Sequence, residues 1–356
     1  MPRADDYAYA VTYVRALRSR LLSGVQYEVL LKAKDEQEVL RYLLDTAYSN
    51  YLSERSGRSL SLYDIDPVIF GDYYRIFRDL MSSRTTEHGR KLLATAYLRH
   101  EFSCLKNIMH LVMAGTSSEE SAQLITPLGK YTPEYISRLL KSRDLRQLFA
   151  GIDDPQIRMI ALDRVTECEE MASTVPVEMA VDRFHMSSLW AIISRLDNWD
   201  REPTRDIVGT EIDAANIALI LRGKQLGMPF PMLRDLVIPI RYKLDQQTET
   251  ATEAATALEA MQAFSSGYYG AIISDVMAEC ERQRTLLPLE LALKRLLVQR
   301  CSRTFVGYPF GIGPLLAFLN LKYFEALDIR TILLGKKEKK SAEALRSLLL
   351  SHSNES

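Results

Sequence analysis

The chain has 356 residues, with 45 basic and 46 acidic side chains and a net charge of −1, so no overall basic field exists to hold nucleic acid or anionic lipid. Hydrophobic residues make up 47% and charged ones 26%, which excludes a disordered chain. Glycine and proline together amount to about 8%, against roughly 12% in average usage, and so few turn-makers favour long helices over many short strands.

In chain order, Tyr7, Ala10, Val14, Leu17 and Leu21 share one helical face behind the capping candidates Asp5 and Asp6. Asp35 followed by Glu38 predicts a capped start before Val39, Leu40 and Leu43. A stripe of Ile69, Tyr73, Ile76, Phe77 and Leu80 follows Pro67, and a long helix is predicted from about Glu87 to Met113. Thr132-Pro133 and Asp154-Pro155 are cap-then-proline starts, where the missing N–H costs nothing. Thr210 to Asp213 reads as a near capping box opening a helix towards Leu226. Further helices are predicted near 254–264, 268–284, 289–303, 313–334 and 342–351. Val237-Ile238-Pro239-Ile240 is β-branched, but its proline argues against a strand. The fold class expected is all-α.

Four cysteines, Cys104, Cys168, Cys280 and Cys301, form no CxxC pair and read as buried reduced thiols of a cytosolic protein. No apolar run reaches 18 residues, and the opening MPRADDYAYA carries acids where a signal peptide needs an apolar core. A soluble, cytoplasmic chain is expected, one that meets a membrane only through another protein.

Self-comparison suggests an internal repeat of about 110 residues. Leu30-Leu31-Lys32-Ala33-Lys34-Asp35 matches Leu139-Leu140-Lys141-Ser142-Arg143-Asp144 at a spacing of 109. Asn107-Ile108 matches Asn216-Ile217 at the same spacing and Asp328-Ile329 at 221, while Tyr48 matches Tyr268 at 220. The polar residue before isoleucine is expected to hold neighbouring helices in register through a buried hydrogen bond. Gly223 and Gly335 that follow are expected at helix ends, where positive φ is wanted. The implied units are 1–118, 119–229 and 230–356, the last with a basic C-terminal segment. Three such units can close into a ring or funnel of pseudo-threefold symmetry, suited to gripping a shaft.

The opening Tyr7-Ala8-Tyr9-Ala10-Val11, then Leu43-Leu44-Asp45-Thr46-Ala47-Tyr48, resembles the start of the family formed by the C subunits of V-type/A-type ATP synthases, whose eukaryotic counterpart is the d subunit of the vacuolar ATPase. Asp213-Ala214-Ala215-Asn216-Ile217 with Leu221-Arg222-Gly223-Lys224 is similar to the family's second-repeat motif. The stretch from Lys322 to Lys336 is similar to its C-terminal signature. Cys104 departs from the pattern, standing where the other units carry Asp213 and Glu325. The resemblance implies a non-catalytic, funnel-shaped adaptor of the central stalk. Such an adaptor receives the rotor shaft and sits on the membrane rotor ring, peripheral to the membrane. It implies no catalytic residue, no cofactor and no metal site; whether H⁺ or Na⁺ is moved belongs to other subunits.

Rival chemistry lacks its residues. His100, Cys104 and His110 cannot all share one helical face. Asp153-Asp154 has no second acidic motif with which to hold magnesium for diphosphate chemistry, and is read as a cap. Gly307 to Pro314 is glycine-rich but lacks the Lys-Ser/Thr of a phosphate-binding loop; it is read as a loop between helices with Tyr308 and Phe310 exposed. Residues 153–213 carry a net −8 and 294–346 a net +7, with Lys336, Lys337, Lys339 and Lys340 as candidates to meet an acidic partner. A generic all-α scaffold for another protein is the alternative reading.

Overall fold

A computed structural model describes residues 4–52, 62–116 and 119–351. Among them are twenty helices and no strand, with one isolated bridge between Leu128 and Tyr131. The first stretch holds α1 (Ala4–Arg18), α2 (Gly24–Lys32), α3 (Glu36–Leu43), α4 (Ser49–Leu52), α5 (Leu62–Ser82) and α6 (Glu87–Met113). The middle holds α7 (Glu119–Ala122), α8 (Pro133–Leu140), α9 (Leu145–Ala150), α10 (Pro155–Asp163), α11 (Val165–Met171), α12 (Val175–Ile193) and α13 (Asn198–Gln225). The last holds α14 (Phe230–Leu236), α15 (Gln247–Glu253), α16 (Ala257–Ser265), α17 (Gly270–Gln283), α18 (Leu287–Thr304), α19 (Ile312–Lys337) and α20 (Ala342–Leu348). The unit boundary expected at residue 118 lies outside the described residues.

The caps read from sequence form. Asp35 accepts from the Glu38 N–H at 2.9 Å, Thr132 caps α8, and Asp154 accepts from Gln156 and Ile157 at the start of α10. Thr210 does not open a helix: it lies mid-way along α13, its hydroxyl donating back to the Asp206 carbonyl at 2.7 Å, and the helix starts at the cap Asp197. Pro203 sits inside that helix and hid its first turns from the sequence reading. Helix α12 has no counterpart among the expected elements. Gly313 and Pro314 belong to the first turn of α19 rather than to a loop.

The stretch 237–240 is irregular, and a side chain supplies its pairing. The Asn216 amide donates to the Ile238 and Ile240 carbonyls at 3.1 and 3.3 Å and accepts from the Ile238 N–H at 2.9 Å. Asp328 does the corresponding work for the chain end, accepting from Leu350 at 2.7 Å and Ser351 at 2.9 Å. Asn107, expected to make the same bond, is exposed. Its place is taken by buried Cys104, whose thiol donates to the Thr126 carbonyl at 3.3 Å. Cys104, Asn216 and Asp328 are therefore spaced by 112 residues, and the 109 match of Asn107 was one helical turn out. A three-residue slip keeps nearly the same helix face, so the apolar pattern fits either way.

Other contacts recur on the 112 spacing. Glu101 accepts from the Lys130 N–H at 3.3 Å, Asp213 from Tyr242 and Lys243 at 3.0 and 2.6 Å, and Glu325 from Leu22 at 2.5 Å. Asp213 also accepts from the Tyr269 hydroxyl, and Glu325 from that of Tyr48, each at 2.8 Å. Tyr48 thus corresponds to Tyr269, not to Tyr268 as the sequence match had it, while Ile157 stands in the remaining place. Glu101, rather than Cys104, is the counterpart of Asp213 and Glu325 on this spacing.

The three longest helices end alike. The N–H of Gly115, Gly227 and Lys339 bonds back three residues, and that of Thr116, Met228 and Lys340 bonds back five. Gly115, Gly227 and Lys339 have φ of 65°, 68° and 59°. Gly223 and Gly335 do not have positive φ, contrary to expectation; they lie in the last turns of α13 and α19. A Cβ on Gly223 would meet Leu233 Cδ1 at 2.5 Å, and one on Gly335 would collide with the Leu345 side chain.

Candidate functional site

The site is built by the inner faces of α6, α13 and α19. Their N-terminal ends meet. Tyr7 of α1 is fully buried and donates to Asp200 Oδ2 at 2.8 Å, with its oxygen also 2.8 Å from the hydroxyl of Thr86, the cap of α6. Asp200, in the first turn of α13, accepts the Ile312 N–H of α19 at 2.7 Å. Helix α19 begins at Gly311, which has no side chain to cap it, so Asp200 supplies the acceptor from across. Burial raises the Asp200 carboxyl pKa, against the lowering effect of these two donors.

Beyond that junction the helices part. Leu92, Leu93 and Ala96 of α6, Ile207, Val208 and Ile212 of α13, and Ile312 to Leu319 of α19 share one core. Leu105, Ile108 and Met109 of α6 then enter a second core, and Ile217, Ile220 and Leu221 of α13 a third. Helix α19 is apolar nearly all round, as a helix enclosed by others must be, and packs against α1, α3, α5, α13, α18 and α20. Helix α6 packs on α12, α13 on α18 and α19 on α5.

Between the parting helices lies a cavity of about 370 Å³, lined by Arg99 of α6, Glu211, Ala214, Ala215 and Ala218 of α13, Leu293 and Leu297 of α18, and Tyr323 and Leu327 of α19. Arg99, Glu211 and Tyr323 fall on the same 112 spacing as the contacts above. A neighbouring cavity of about 230 Å³ shares Tyr323 and Leu327 and adds Asp66, Ser103, Asn107 and Arg330. Arg99 and Glu211 approach to 2.9 Å; burial would lower the guanidinium pKa, but the facing carboxylate outweighs it and the net shift is upward. The three walls differ chemically: Arg99 on α6, three alanines flanked by Glu211 and Arg222 on α13, and aromatic and aliphatic side chains on α19.

Polar and charged side-chain contacts tie each wall to the helix it packs on. His110 meets Glu178 at 2.8 Å, Arg222 meets Glu290 at 2.6 Å, Lys106 meets Asp182 at 2.7 Å and Arg330 meets Asp66 at 2.8 Å. The joint of α19 with α5 has a buried centre as well. Lys322 Nζ lies 2.9 Å from Glu325 and 3.5 Å from Asp72, over the Tyr48 ring at 4.0 Å. Glu325 reaches Leu22 and Tyr48 near the N-terminus, so the last long helix holds the first helices of the chain.

The residues of rival chemistry go to separate partners. His100 is buried and bonded to the Tyr73 hydroxyl at 2.8 Å, and burial, followed by the Arg99 charge, lowers its pKa well below the usual range. Cys104 is pushed up to about 12, mainly by burial. Asp153 pairs with Arg138 at 2.6 Å while Asp154 caps α10 and meets Lys130 at 2.9 Å. Tyr308 and Phe310 are half-buried, Tyr308 lying against Trp199 with ring centres 5.2 Å apart. Of the lysine cluster, Lys336 donates to the Leu31 carbonyl at 2.6 Å and Lys340 pairs with Glu338 at 2.9 Å; Lys337 and Lys339 are exposed. Lys322, Arg330 and Arg346 are likewise paired within the fold, so most of the basic C-terminal excess is not a free patch. Among the described residues no helix is long and apolar enough to cross a membrane.

A sequence model of the ATP synthase (C/AC39) subunit matches residues 10–348. The chain is 24% identical to the C subunit of the A-type ATP synthase of Methanocaldococcus jannaschii, over 97% of this chain and 86% of that protein. It is 22% identical to the corresponding A-type ATP synthase protein of Pyrococcus horikoshii, over 96% and 90% of the two chains, and 23% identical to that of Haloferax volcanii, over 96% and 97%.

Proposed function

The chain belongs to the ATP synthase (C/AC39) subunit family, and from that premise we propose that it is a non-catalytic adaptor of the central stalk, joining the rotor shaft to the membrane rotor ring. In this reading three copies of one helical unit, near 1–118, 119–229 and 230–356, wrap around a common axis. Helices α6, α13 and α19 form a funnel closed where Tyr7, Asp200 and Ile312 meet. The shaft end seats between their diverging faces, and the complex holds the chain at the membrane.

The observation that carries the proposal is the lining of one cavity by Arg99, Glu211 and Tyr323, equivalent positions of the three long helices. The cyclic packing of α6 on α12, α13 on α18 and α19 on α5 supports closure, as does the grip of Glu325 on Leu22 and Tyr48. Torque transmission needs walls that resist shear, and the ion pairs from each long helix to its neighbour brace them. A half-polar lining suits an interface that assembles and separates.

Replacing Ala218 by Trp fills the cavity, whose lining also includes the Arg99–Glu211 and Arg222–Glu290 pairs. The variant is expected to fold, with the helical circular dichroism of the parent, and to lose copurification with the shaft subunits. A folded Ala218→Trp chain that retains the shaft at parental yield overturns the socket.

A further inference from the structure

On the 112 spacing, Lys106 of α6, Ala218 of α13 and Arg330 of α19 hold equivalent places. Each of the two cations reaches the helix that its own helix packs on: Lys106 meets Asp182 of α12 at 2.7 Å, and Arg330 meets Asp66 of α5 at 2.8 Å. Ala218 is too short to reach α18. The facing helix differs as well. Glu178 and Glu290 match on the same spacing and pair with His110 and Arg222, which also match. One turn further along, α12 carries Asp182 where α18 carries Lys294. The second joint therefore lacks the cation on its long helix and has a cation where the first has its carboxylate.

The cavity of about 370 Å³ opens at this gap, with Ala218 and Lys294 both in its lining. The other charged groups that line it face each other, Arg99 meeting Glu211 at 2.9 Å and Arg222 meeting Glu290 at 2.6 Å. Lys294 is exposed, and among the described residues no carboxylate pairs with it. The lining thus holds one cation in excess, beside Leu293 and Leu297. A carboxylate that leaves water for such a space must meet a cation there, and Lys294 is the one still open to it.

We propose that the partner completes this joint: an aspartate or glutamate of the rotor shaft enters beside Ala218 and pairs with Lys294. The inference rests on the socket reading above and adds the chemistry of what enters the socket. The shaft carboxylate makes at the second joint the kind of ion pair that Lys106 and Asp182 make at the first, with the acid supplied from outside the chain. Arg99 and Arg222 compete little for it, since each already faces a carboxylate. Ala214 and Ala218, one turn apart on the wall, leave room for the entering segment.

Carbodiimide treatment of the assembled complex tests this, because the reagent joins an amine to a carboxylate in contact with it. Lys294 is expected to link to an acidic residue of a shaft subunit, located by mass spectrometry. Lys294→Gln, at an exposed site, should keep the parental circular dichroism, bind the isolated shaft subunits about tenfold more weakly and flatten the salt dependence of binding. Lys294→Glu should bind more weakly still. Ala218→Glu, which gives Lys294 a partner inside the chain, should weaken binding and lose the cross-link. Where the parental chain binds the shaft, parental affinity in both Lys294→Gln and Lys294→Glu overturns the inference and leaves the socket standing. A Lys294 cross-link made only to ring or peripheral subunits does the same. No binding of the shaft by the parental chain overturns the socket, and the inference with it.

Discussion

Asp200 caps a helix to which it does not belong: its Oδ1 takes the Ile312 N–H at 2.7 Å, joining the first turn of α13 to the start of α19. Its other oxygen takes the Tyr7 hydroxyl, so one carboxylate fastens α1, α13 and α19. Asp200→Ala leaves the Ile312 N–H buried and unpaired and the Tyr7 hydroxyl with Thr86 alone. It should lower the unfolding free energy by about 2–4 kcal/mol in urea titrations, while Asp200→Asn, which keeps one acceptor, should lose less. Equal losses would mean that the cap contributes little.

Lys339 takes the left-handed conformation that Gly115 and Gly227 take at the other two helix ends. A lysine there carries about 1 kcal/mol of strain that glycine avoids. Lys339→Gly should raise the unfolding free energy by about 0.5–1 kcal/mol, less than the strain itself because glycine is freer in the unfolded chain. The opposite sign would show that the Lys339 side chain has a stabilising role of its own.

Gly335 sits against Leu345, and a methyl group at that point has no room. Gly335→Ala should cost about 1–3 kcal/mol by overpacking. Combining it with Leu345→Ala should cost less than the two single losses summed, a coupling that a double-mutant cycle reads directly.

Lys322 is 3% exposed between Glu325 and Asp72. Lys322→Met removes the cation that faces Glu325, while Asp72 keeps its pair with Arg75, and should destabilise by about 3–5 kcal/mol because the Glu325 carboxylate is left buried without its cation.

Burial lifts the Asp328 carboxyl to about 6, against the Leu350 and Ser351 N–H groups that favour its charged form. The folded chain therefore holds a proton there that the unfolded chain releases near pH 4. Stability contributed by this group is full below that pH and is lost as pH rises through about 6. Relative to Asp328→Asn, whose side chain does not titrate, the parent should lose up to about 3 kcal/mol between pH 4 and 7. A difference between the two that does not change with pH would contradict the shift.

Much of the fold was legible because local signals agree with it. The Asp35, Thr132 and Asp154 caps and the bounds of α6 follow from residue type and spacing alone. The all-α class followed from the scarcity of turn-makers. The register between long helices was not legible: between Pro67 and Glu101 the chain is three residues shorter than between Pro176 and Asp213, and a slip of nearly one turn leaves the apolar stripe intact. Tyr7 and Ile312 on Asp200, and Leu22 and Tyr48 on Glu325, lie 112 and more residues away in sequence, and no pattern marks such pairs. Arg99, Glu211 and Tyr323 were missed for a related reason. They differ in chemistry, so a search for matching residues passes over them, and only their common spacing could have found them.

A photoreactive residue placed at Ala218, on the small-residue wall of α13, reports what occupies the space between the long helices in the assembled complex. If the chain is the collar of the rotor, irradiation followed by mass spectrometry yields a cross-link to the shaft subunits. That cross-link disappears when the shaft is stripped from the complex. Cross-links confined to ring or peripheral subunits, with the shaft present and unmodified, would contradict it.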